Sequence, residues 1–190
     1  MTSLCLIRHG QTSWNAEGRI QGQEDIPLSP SGVEQVFDLS HELSSKKFGM
    51  IYTSPLSRAL ETAIILAPLY KYIPSDDRLA ERHYGLWQGM LEFDVKEKYP
   101  NIWNSNWRLN GPPNGESQSS LVIRAASFLD DILKKHDGQS VAIVSHECLL
   151  SAMLGYILKI PLEMHCALRW KNCGYVWVGY VNGQPRLIFQ

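Results

Sequence analysis

The sequence predicts an α/β fold of three layers, in which helices cover both faces of a mainly parallel central sheet. Short apolar runs at 4–7, 50–53 and 140–144 have the length and composition of buried strands. Segments with the apolar spacing of helices separate these runs, and such alternation is typical of parallel α/β sheets. Two further strand-like runs flank Asn182-Gly183, a dipeptide that favours an antiparallel hairpin at the C-terminal end of the chain.

Local signals in the first half of the chain place the elements more closely. The polar, glycine-bearing segment at 10–28 predicts a long loop. A Ser-Pro pair at 29–30 has the pattern of a helix N-cap followed by proline at the first helical position, and a second pair at 54–55 repeats it. A short strand is expected near residues 72–73.

The second half of the chain predicts three helices. A short helix covers about 93–99, and a loop continues from there to residue 115. A long amphipathic helix follows at 117–136, with apolar residues spaced to lie on one face. A third helix, at 149–158, follows the strand at 140–144.

Length and composition fit one globular domain spanning residues 1–190. Hydrophobic residues make up 44% of the chain and charged residues 19%, a composition typical of folded proteins. The 18 basic and 19 acidic residues give a net charge of −1, whereas a general nucleic-acid-binding protein would carry a basic excess. We therefore expect no nucleic-acid partner.

The distribution of apolar residues and cysteines predicts a cytoplasmic protein. No run approaches the ~18 apolar residues of a membrane helix, and the first residues lack the basic and apolar regions of a signal peptide. The four cysteines lie far apart without a Cys-x-x-Cys pair, which argues against a disulfide framework and a zinc site. We expect a reduced protein without a membrane partner, and the sequence leaves a homodimer open.

Arginine and histidine residues follow the predicted strands. Arg8-His9 ends the first strand, His146 follows the strand at 140–144, and Arg58 lies in the first turn of the helix after the second strand. Ligands of open α/β sheets bind beyond the carboxyl ends of the strands, so these four residues should meet at one edge. Each alone has an ordinary structural explanation. Together they predict an anion site, because guanidinium groups and helix N-termini both bind phosphate.

Five stretches, in this order, resemble the histidine phosphatase superfamily in its phosphoglycerate mutase-like branch. They are Leu6–Asn15 around Arg8-His9-Gly10, the loop Gly22–Gly32, Thr53–Ala63 around Arg58, Glu81 with Gly85–Gly89, and Val144-Ser145-His146. Their joint occurrence is highly specific, and the resemblance covers about residues 4–158. It implies a phosphoglycerate mutase-like fold and a phosphomonoester hydrolase of the short phosphatase type, which acts on a small phosphorylated metabolite through a phosphohistidine intermediate.

The resemblance implies five catalytic residues. Arg8, Arg58 and His146 are expected to hold the transferred phosphoryl group, and the other two carry the covalent and proton-transfer steps. His9 is the expected nucleophile, and Glu81 is expected to protonate the leaving oxygen and then to activate water. An ordinary histidine is largely neutral near pH 7, and neighbouring arginines favour the neutral ring further. Glu81 has to be protonated when substrate is bound. A phosphate dianion raises its pKa and the arginines lower it, so we expect an acidic to neutral pH optimum while this balance stays open.

The resemblance also implies a set of groups that hold the substrate. Residues expected to contact the phosphoryl group or the rest of the substrate are Arg8, Asn15, Gln21, Arg58, His146, Arg82 and Tyr84. No metal or other cofactor is expected, because the arginines supply the positive charge that a metal ion would.

Two features of the segment at about 83–115 bear on the reaction. Arg82-His83-Tyr84-Gly85 is similar to the mutase version of this stretch, so a cofactor-dependent phosphoglycerate mutase is one alternative. Residues 100–118, however, resemble the shorter phosphatase branch and contain a single basic residue, Arg108. We expect a phosphatase whose leaving-group pocket, and hence its substrate specificity, is set by this segment. A non-catalytic phospho-ligand-binding protein is the second alternative.

Glu147 departs from the family pattern, which usually has glycine after the second histidine. A carboxylate at a helix N-terminus is favourable, but one close to a phosphate is repulsive. We expect Glu147 to point away from the site. The alternatives are a contact with a cationic or hydroxylated part of the substrate, or weakened phosphate binding. The natural substrate stays open among sugar phosphates, a ribazole phosphate and phosphoserine.

Overall fold

The computed structural model describes residues 2–188 and contains one five-stranded sheet in the order β2-β3-β1-β4-β5. The strands are β1 (Thr2–Arg8), β2 (Met50–Thr53), β3 (Ser140–Ser145), β4 (Tyr175–Val181) and β5 (Gln184–Ile188). The first three run parallel, whereas β4 pairs antiparallel with β1 and β5 antiparallel with β4. Asn182 and Gly183, both with positive φ, form the turn of this hairpin. The predicted sheet is confirmed.

Helices account for most of the remaining chain between residues 2 and 188. They are α1 (Ser13–Glu17), α2 (Pro30–Glu42), α3 (Ser57–Leu66), α4 (Glu92–Lys98), α5 (Pro100–Trp103), α6 (Trp107–Asn110), α7 (Gln118–Lys135) and α8 (Glu147–Ile157). Short 3-10 turns cover Asp77–Leu79, Gly85–Trp87 and Leu162–Ala167. No helix in this part of the chain is long and apolar enough to cross a membrane.

Side chains of β1 alternate between two hydrophobic cores. Leu4 and Leu6 join the core that contains residues of α7 and α8, and Cys5 and Ile7 join the core that contains residues of α2 and α3. Both faces of the sheet are therefore covered, which explains why its central strands are nearly continuous apolar runs. The three-layer arrangement is the one that the sequence predicted.

A third, smaller core lies in the segment between β2 and α7. The buried side chains of Trp87, Val95 and Trp107 form its centre. Aromatic rings dominate it, with the Trp87 and Trp107 centroids 4.9 Å apart in an edge-to-face arrangement. We call this group the aromatic cap. It rests on α4, α5 and α6, of which only α4 was predicted, since the sequence predicted a loop beyond residue 99.

The loop expected at 10–28 contains the short helix α1. Thr12 is its N-cap and forms a capping box with Asn15, and Gly18 ends it with φ of 70°. The apolar spacing that reveals longer helices is missing from a helix of five residues, so periodicity alone does not detect it. Capping residues specify this helix instead.

Two further expectations are wrong. The Ser-Pro pair at 54–55 does not cap α3, which begins at Ser57. Asp25 reaches the helix from the preceding loop, and its two carboxylate oxygens accept hydrogen bonds from Ser57 N and Oγ at 2.7 Å each. Residues 72–73 form no strand. The chain there touches the sheet through one isolated bridge between Thr53 and Ser75.

Candidate active site

A cavity of about 230 Å³ opens where β1 and β3 end. Because Arg8 pairs in register with Ser145, the residues that follow the two strands lie side by side. Eight of the nine predicted site residues line this cavity, namely Arg8, His9, Asn15, Gln21, Arg58, Glu81, Arg82 and Tyr84. The ninth, His146, is fully buried, with its ring centroid 5.1 Å from that of His9.

The protonation state of His9 follows from its hydrogen bond. Nδ1 lies 2.6 Å from the carbonyl oxygen of Gly10, and a carbonyl can only accept, so Nδ1 carries the proton. Burial, together with the charges of Arg58 and Arg8, holds the pKa of His9 well below its ordinary value. The ring is therefore neutral, and Nε2 keeps a free lone pair.

Arg58 is buried but keeps its charge. It donates from Nη1 to Glu24 O and from Nη2 to Gly22 O, both at 2.8 Å. Burial lowers the pKa of Arg58 to about 10, which leaves it protonated at neutral pH. Gly22 has a φ of +56°, and a Cβ there would lie 2.3 Å from the side chain of Gln88. Glycine thus lets this loop place its carbonyl on Arg58.

His146 connects Arg58 to a residue that the sequence analysis did not assign to the site. Its Nδ1 accepts a hydrogen bond from Arg58 Nε at 3.2 Å, and its Nε2 lies 2.8 Å from Ser54 Oγ. In the neutral ring Nε2 therefore donates to Ser54. Burial and the charge of Arg58 hold the pKa of His146 well below its ordinary value. Ser54 lies within the arginine motif, but its Ser-Pro pattern was interpreted as a helix cap.

Arg8 lines the cavity, and contacts with the protein hold its guanidinium group. Nη1 donates to Trp170 O at 2.5 Å and forms an ion pair with Glu147, whose Oε2 lies 3.1 Å away. Nε is buried without a hydrogen-bond partner among the described residues. The Nε and Nη2 edge is the one that matches two oxygens of a phosphoryl group.

Glu147 lines the cavity instead of pointing away from it, so that expectation is wrong. It is the first residue of α8 and is separated from the end of β3 by His146 alone, and β3 is the neighbour of β1. Its carboxylate lies between two arginines, with Oε2 on Arg8 and Oε1 2.7 Å from Nε of Arg169. No pattern in the sequence singles out Arg169, which follows the 3-10 turn at Leu162–Ala167.

Glu81 is buried, and the structure resolves the direction of its pKa shift. Its oxygens accept hydrogen bonds from Arg82 N at 2.7 Å and from Cys148 N, near the start of α8, at 3.3 Å. Burial raises the pKa of Glu81, and this outweighs the lowering by the two hydrogen bonds and by Arg58 and Arg8. The environment therefore favours a protonated carboxyl group, the form that can donate a proton.

Asn15 and Gln21 each have the amide oxygen engaged by Thr12. Thr12 N donates to Asn15 Oδ1 at 3.1 Å, and Thr12 Oγ1 donates to Gln21 Oε1 at 3.0 Å. Both side chains line the cavity. Because the oxygens are occupied, the NH2 groups are the ends of these amides that suit an anionic ligand.

Arg82 and Tyr84 also line the cavity, but most of their polar atoms face the protein. Arg82 donates to the carbonyl oxygens of Trp107, Arg108 and Glu116. The Tyr84 hydroxyl lies 3.1 Å from Cys148 Sγ, and burial raises the pKa of Tyr84 well above its ordinary value. These contacts tie the cavity wall to the aromatic cap.

Known proteins are similar to this chain in sequence and in fold. A phosphoserine phosphatase 1 of Hydrogenobacter thermophilus is 35% identical over 179 residues, covering 92% of this chain and 85% of that protein. A protein of Enterobacter sp. (strain 638), named as a probable phosphoglycerate mutase, is 32% identical, covering 95% of this chain and 86% of that protein. The solved structure of a mycobacterial glucosyl-3-phosphoglycerate phosphatase with VO3 superimposes with a TM-score of 0.90 at 27% identity, covering 98% and 96% of the two chains.

The sequence profile of the histidine phosphatase superfamily (branch 1) matches residues 4–189, which extends the resemblance beyond residue 158 to the C-terminal hairpin. The fold, the residues of the cavity and the sequence profile all indicate the same family. The chain belongs to the histidine phosphatase superfamily.

Proposed function

We propose that this protein hydrolyses phosphomonoesters of small phosphorylated metabolites through a phosphohistidine intermediate on His9. One observation carries the proposal. The hydrogen bond from His9 Nδ1 to the Gly10 carbonyl leaves Nε2 unprotonated, in a cavity that also contains Arg8, Arg58 and Glu81. A neutral nucleophile, two fixed cations and a buried carboxylic acid are the groups that transfer of a phosphoryl group to nitrogen requires.

In the first half-reaction, the lone pair of His9 Nε2 attacks phosphorus and the bond from phosphorus to the ester oxygen breaks. Glu81 gives its proton to that oxygen, so the alcohol leaves neutral and Glu81 becomes a carboxylate. The raised pKa of Glu81 supports this role, because the acid has to be protonated before the reaction begins.

In the second half-reaction, water replaces the alcohol. The Glu81 carboxylate takes a proton from water as its oxygen attacks phosphorus, and the bond from phosphorus to His9 Nε2 breaks. Inorganic phosphate leaves, and Glu81 is protonated again for the next cycle. One carboxyl group thus serves as acid and then as base.

Fixed positive charge stabilises both transition states. Arg58 is held by the carbonyl oxygens of Gly22 and Glu24, which orient it without cancelling its charge. Arg8 offers its Nε and Nη2 edge to the phosphoryl oxygens, and we assign Asn15 and Gln21 to the same oxygens. Preorganised charge of this kind supplies most of the catalysis in phosphoryl transfer. His146 positions Arg58 through the hydrogen bond to its Nε.

We propose that residues 1–190 act as one domain and that the segment at about 83–115 sets the substrate specificity. Trp107 of the aromatic cap and Tyr84, which packs against that cap, line the same cavity as the phosphate-binding arginines. Trp103 lines the cavity as well, and its ring centroid lies 5.4 Å from that of Trp107. The leaving group would therefore contact the aromatic cap. The related phosphoserine phosphatase makes phosphoserine the first ester to test.

A phosphoglycerate mutase is the second candidate, because a relative of similar identity has that name. A mutase has to retain a bisphosphate, and this requires further free cations. Arg82, the residue that resembles the mutase pattern, donates to backbone carbonyl oxygens. Incubation with 3-phosphoglycerate and 2,3-bisphosphoglycerate tests this candidate, and we expect inorganic phosphate to be released faster than 2-phosphoglycerate is formed.

Hydrolysis of p-nitrophenyl phosphate tests the proposal itself. We expect metal-independent turnover that is lost in His9→Ala, and an acid-labile phosphoryl group on the wild-type protein after rapid quenching. A panel of phosphate esters ranked by kcat/KM would then identify the substrate. Binding of phosphate esters without turnover would instead favour a non-catalytic phospho-ligand-binding protein.

The four cysteines are free in the structure. We propose on this basis that the protein works in a reducing compartment, the cytoplasm, which cell fractionation tests.

A further inference from the structure

Glu147 places a negative charge beside the phosphate-binding arginines. Its carboxylate is 3.1 Å from Arg8 and 2.7 Å from Arg169, 20% of its side chain is exposed, and the residue lines the cavity. Both contacts are ion pairs, so one carboxylate partly neutralises the positive charges of two arginines that line the cavity. Of the three, Arg169 is the most exposed, with 79% of its side chain accessible.

The other cations that line the cavity offset the negative charge of Glu147 only in part. Arg19 pairs with Glu17 at 3.0 Å, and Arg82 is held by carbonyl oxygens. Arg108 has no ion-pair partner among the described residues, but its guanidinium group lies over the Trp107 ring, 4.7 Å from the centroid. A second anionic group on a substrate would therefore meet two further cations without a carboxylate partner among the described residues, the buried Arg82, which donates to backbone carbonyl oxygens, and Arg108. It would meet the negative charge of Glu147 as well.

We propose that Glu147 is a specificity-determining residue that selects substrates by the charge of the leaving group. It favours phosphomonoesters whose leaving group is uncharged, zwitterionic like serine, or cationic over those whose leaving group is a net anion, with a carboxylate or second phosphate that no cation balances. Charges of like sign repel strongly in a partly buried cavity, where water screens them poorly. Repulsion of the wrong ligand is a common route to specificity. This inference rests on the proposed function.

The test uses two competitors of p-nitrophenyl phosphate hydrolysis, glycerol 3-phosphate and 3-phosphoglycerate. They differ at one end of the molecule, where a CH2OH group replaces a carboxylate. We expect the wild-type protein to prefer glycerol 3-phosphate, as measured by the ratio of the two competition constants. Glu147→Gln keeps the size of the side chain and removes its charge, and it should shift this ratio about ten-fold toward 3-phosphoglycerate.

Two further variants separate a charge effect from a structural one. Glu92→Gln removes another carboxylate that lines the cavity, one that pairs with Lys96, and it should leave the ratio within two-fold. Arg169→Gln removes a counter-ion of Glu147 and should shift the ratio further toward glycerol 3-phosphate. A thermal unfolding curve shows whether each variant is folded.

Three results would overturn the inference: a wild-type preference for 3-phosphoglycerate, an unchanged ratio in folded Glu147→Gln, or an equal shift in Glu92→Gln. Failure of the proposed function looks different, because p-nitrophenyl phosphate would then not be hydrolysed by the wild-type protein. In that case calorimetric titration of the wild-type and Glu147→Gln proteins with the same two esters measures the charge preference directly.

Discussion

Nε of Arg58 donates a hydrogen bond to Nδ1 of His146 over 3.2 Å, and this contact fixes the tautomer of the histidine. The proton of the neutral ring is on Nε2, where Ser54 Oγ lies 2.8 Å away. A chain of three buried side chains therefore leads from β2 to the cavity. Because Arg58 is the member that lines the cavity, the other two act on the reaction through its position.

Ser54→Ala should lower kcat/KM for p-nitrophenyl phosphate about 10- to 100-fold. The substitution leaves a buried N–H of His146 without a partner, which costs about 1–3 kcal/mol unless the ring moves, and a moved ring no longer orients Arg58. Ser145→Ala is the matched control. It removes a buried hydroxyl that donates to Leu79 O at 2.7 Å, outside the chain of three side chains. Equal losses of activity in the two variants would contradict the positioning role.

The pH profile of kcat/KM should fall on the alkaline side and stay level on the acidic side near pH 6.5. Glu81 acts as an acid, its pKa is raised, and activity therefore decreases as pH rises through that pKa. His9 has a lowered pKa, so it stays neutral through the range in which an ordinary histidine becomes protonated. An optimum above pH 9 would exclude Glu81 as the acid.

Glu81→Gln should affect substrates according to their leaving groups. Formation of the phosphohistidine from an alkyl phosphate needs a proton donor, so its rate should fall about 10²- to 10⁴-fold. An aryl phosphate such as p-nitrophenyl phosphate has a good leaving group and should still release nitrophenol in a first-turnover burst. Rapid-mixing kinetics with both substrates measures the difference, and an equal loss for the two would argue against proton donation by Glu81.

Acidification should destabilise the fold. The pKa values of His9 and His146 are lowered in the folded state, so the stability they contribute is present above about pH 6.5 and is lost as pH falls. The pKa of Glu81 is raised in the folded state, so its contribution to the stability of the fold increases as pH falls. Two groups lose stability on acidification and one gains it, so the free energy of unfolding should decrease as pH falls below about 6.5. Urea unfolding at pH 7.5, 6.5 and 5.5 measures it, and higher stability at pH 5.5 would contradict the assignment.

Asp25→Ala should lower the free energy of unfolding by about 0.5–2 kcal/mol, because it removes the two hydrogen bonds that cap α3. For a chain of this size each kcal/mol corresponds to about 2–4 °C in Tm. Asp38→Ala, at an exposed position of α2, is the control and should change Tm by less than about 1 °C. Equal shifts in the two variants would show that the cap contributes little.

The central strands and the position of the cavity were predictable because they depend on strong, local signals. The apolar runs of β1, β2 and β3 are buried on both faces, and polar residues follow them at the carboxyl ends. Side-chain partners from distant parts of the chain were not predictable. Asp25 caps α3 from another loop, which moves the start of the helix away from the Ser-Pro pair at 54–55.

Glu147 shows the same limit within the site. Its place at the start of α8 was evident, and a first-turn carboxylate usually faces solvent. The orientation of its side chain depends instead on ion pairs with Arg8, on a neighbouring strand, and with Arg169, which lies 22 residues further along the chain. Single-sequence patterns describe neighbours along the chain, whereas this geometry depends on neighbours in space.

The pairing of Arg8 with Ser145 joins two segments that are far apart in the sequence. During synthesis His9 therefore emerges from the ribosome long before the strand that completes its surroundings. Until residue 146 has followed, the nucleophile has neither its buried environment nor the neighbour that orients Arg58. The nascent chain should consequently be inert toward cellular phosphate esters, and the first appearance of turnover would time the closure of the β1–β3 ladder.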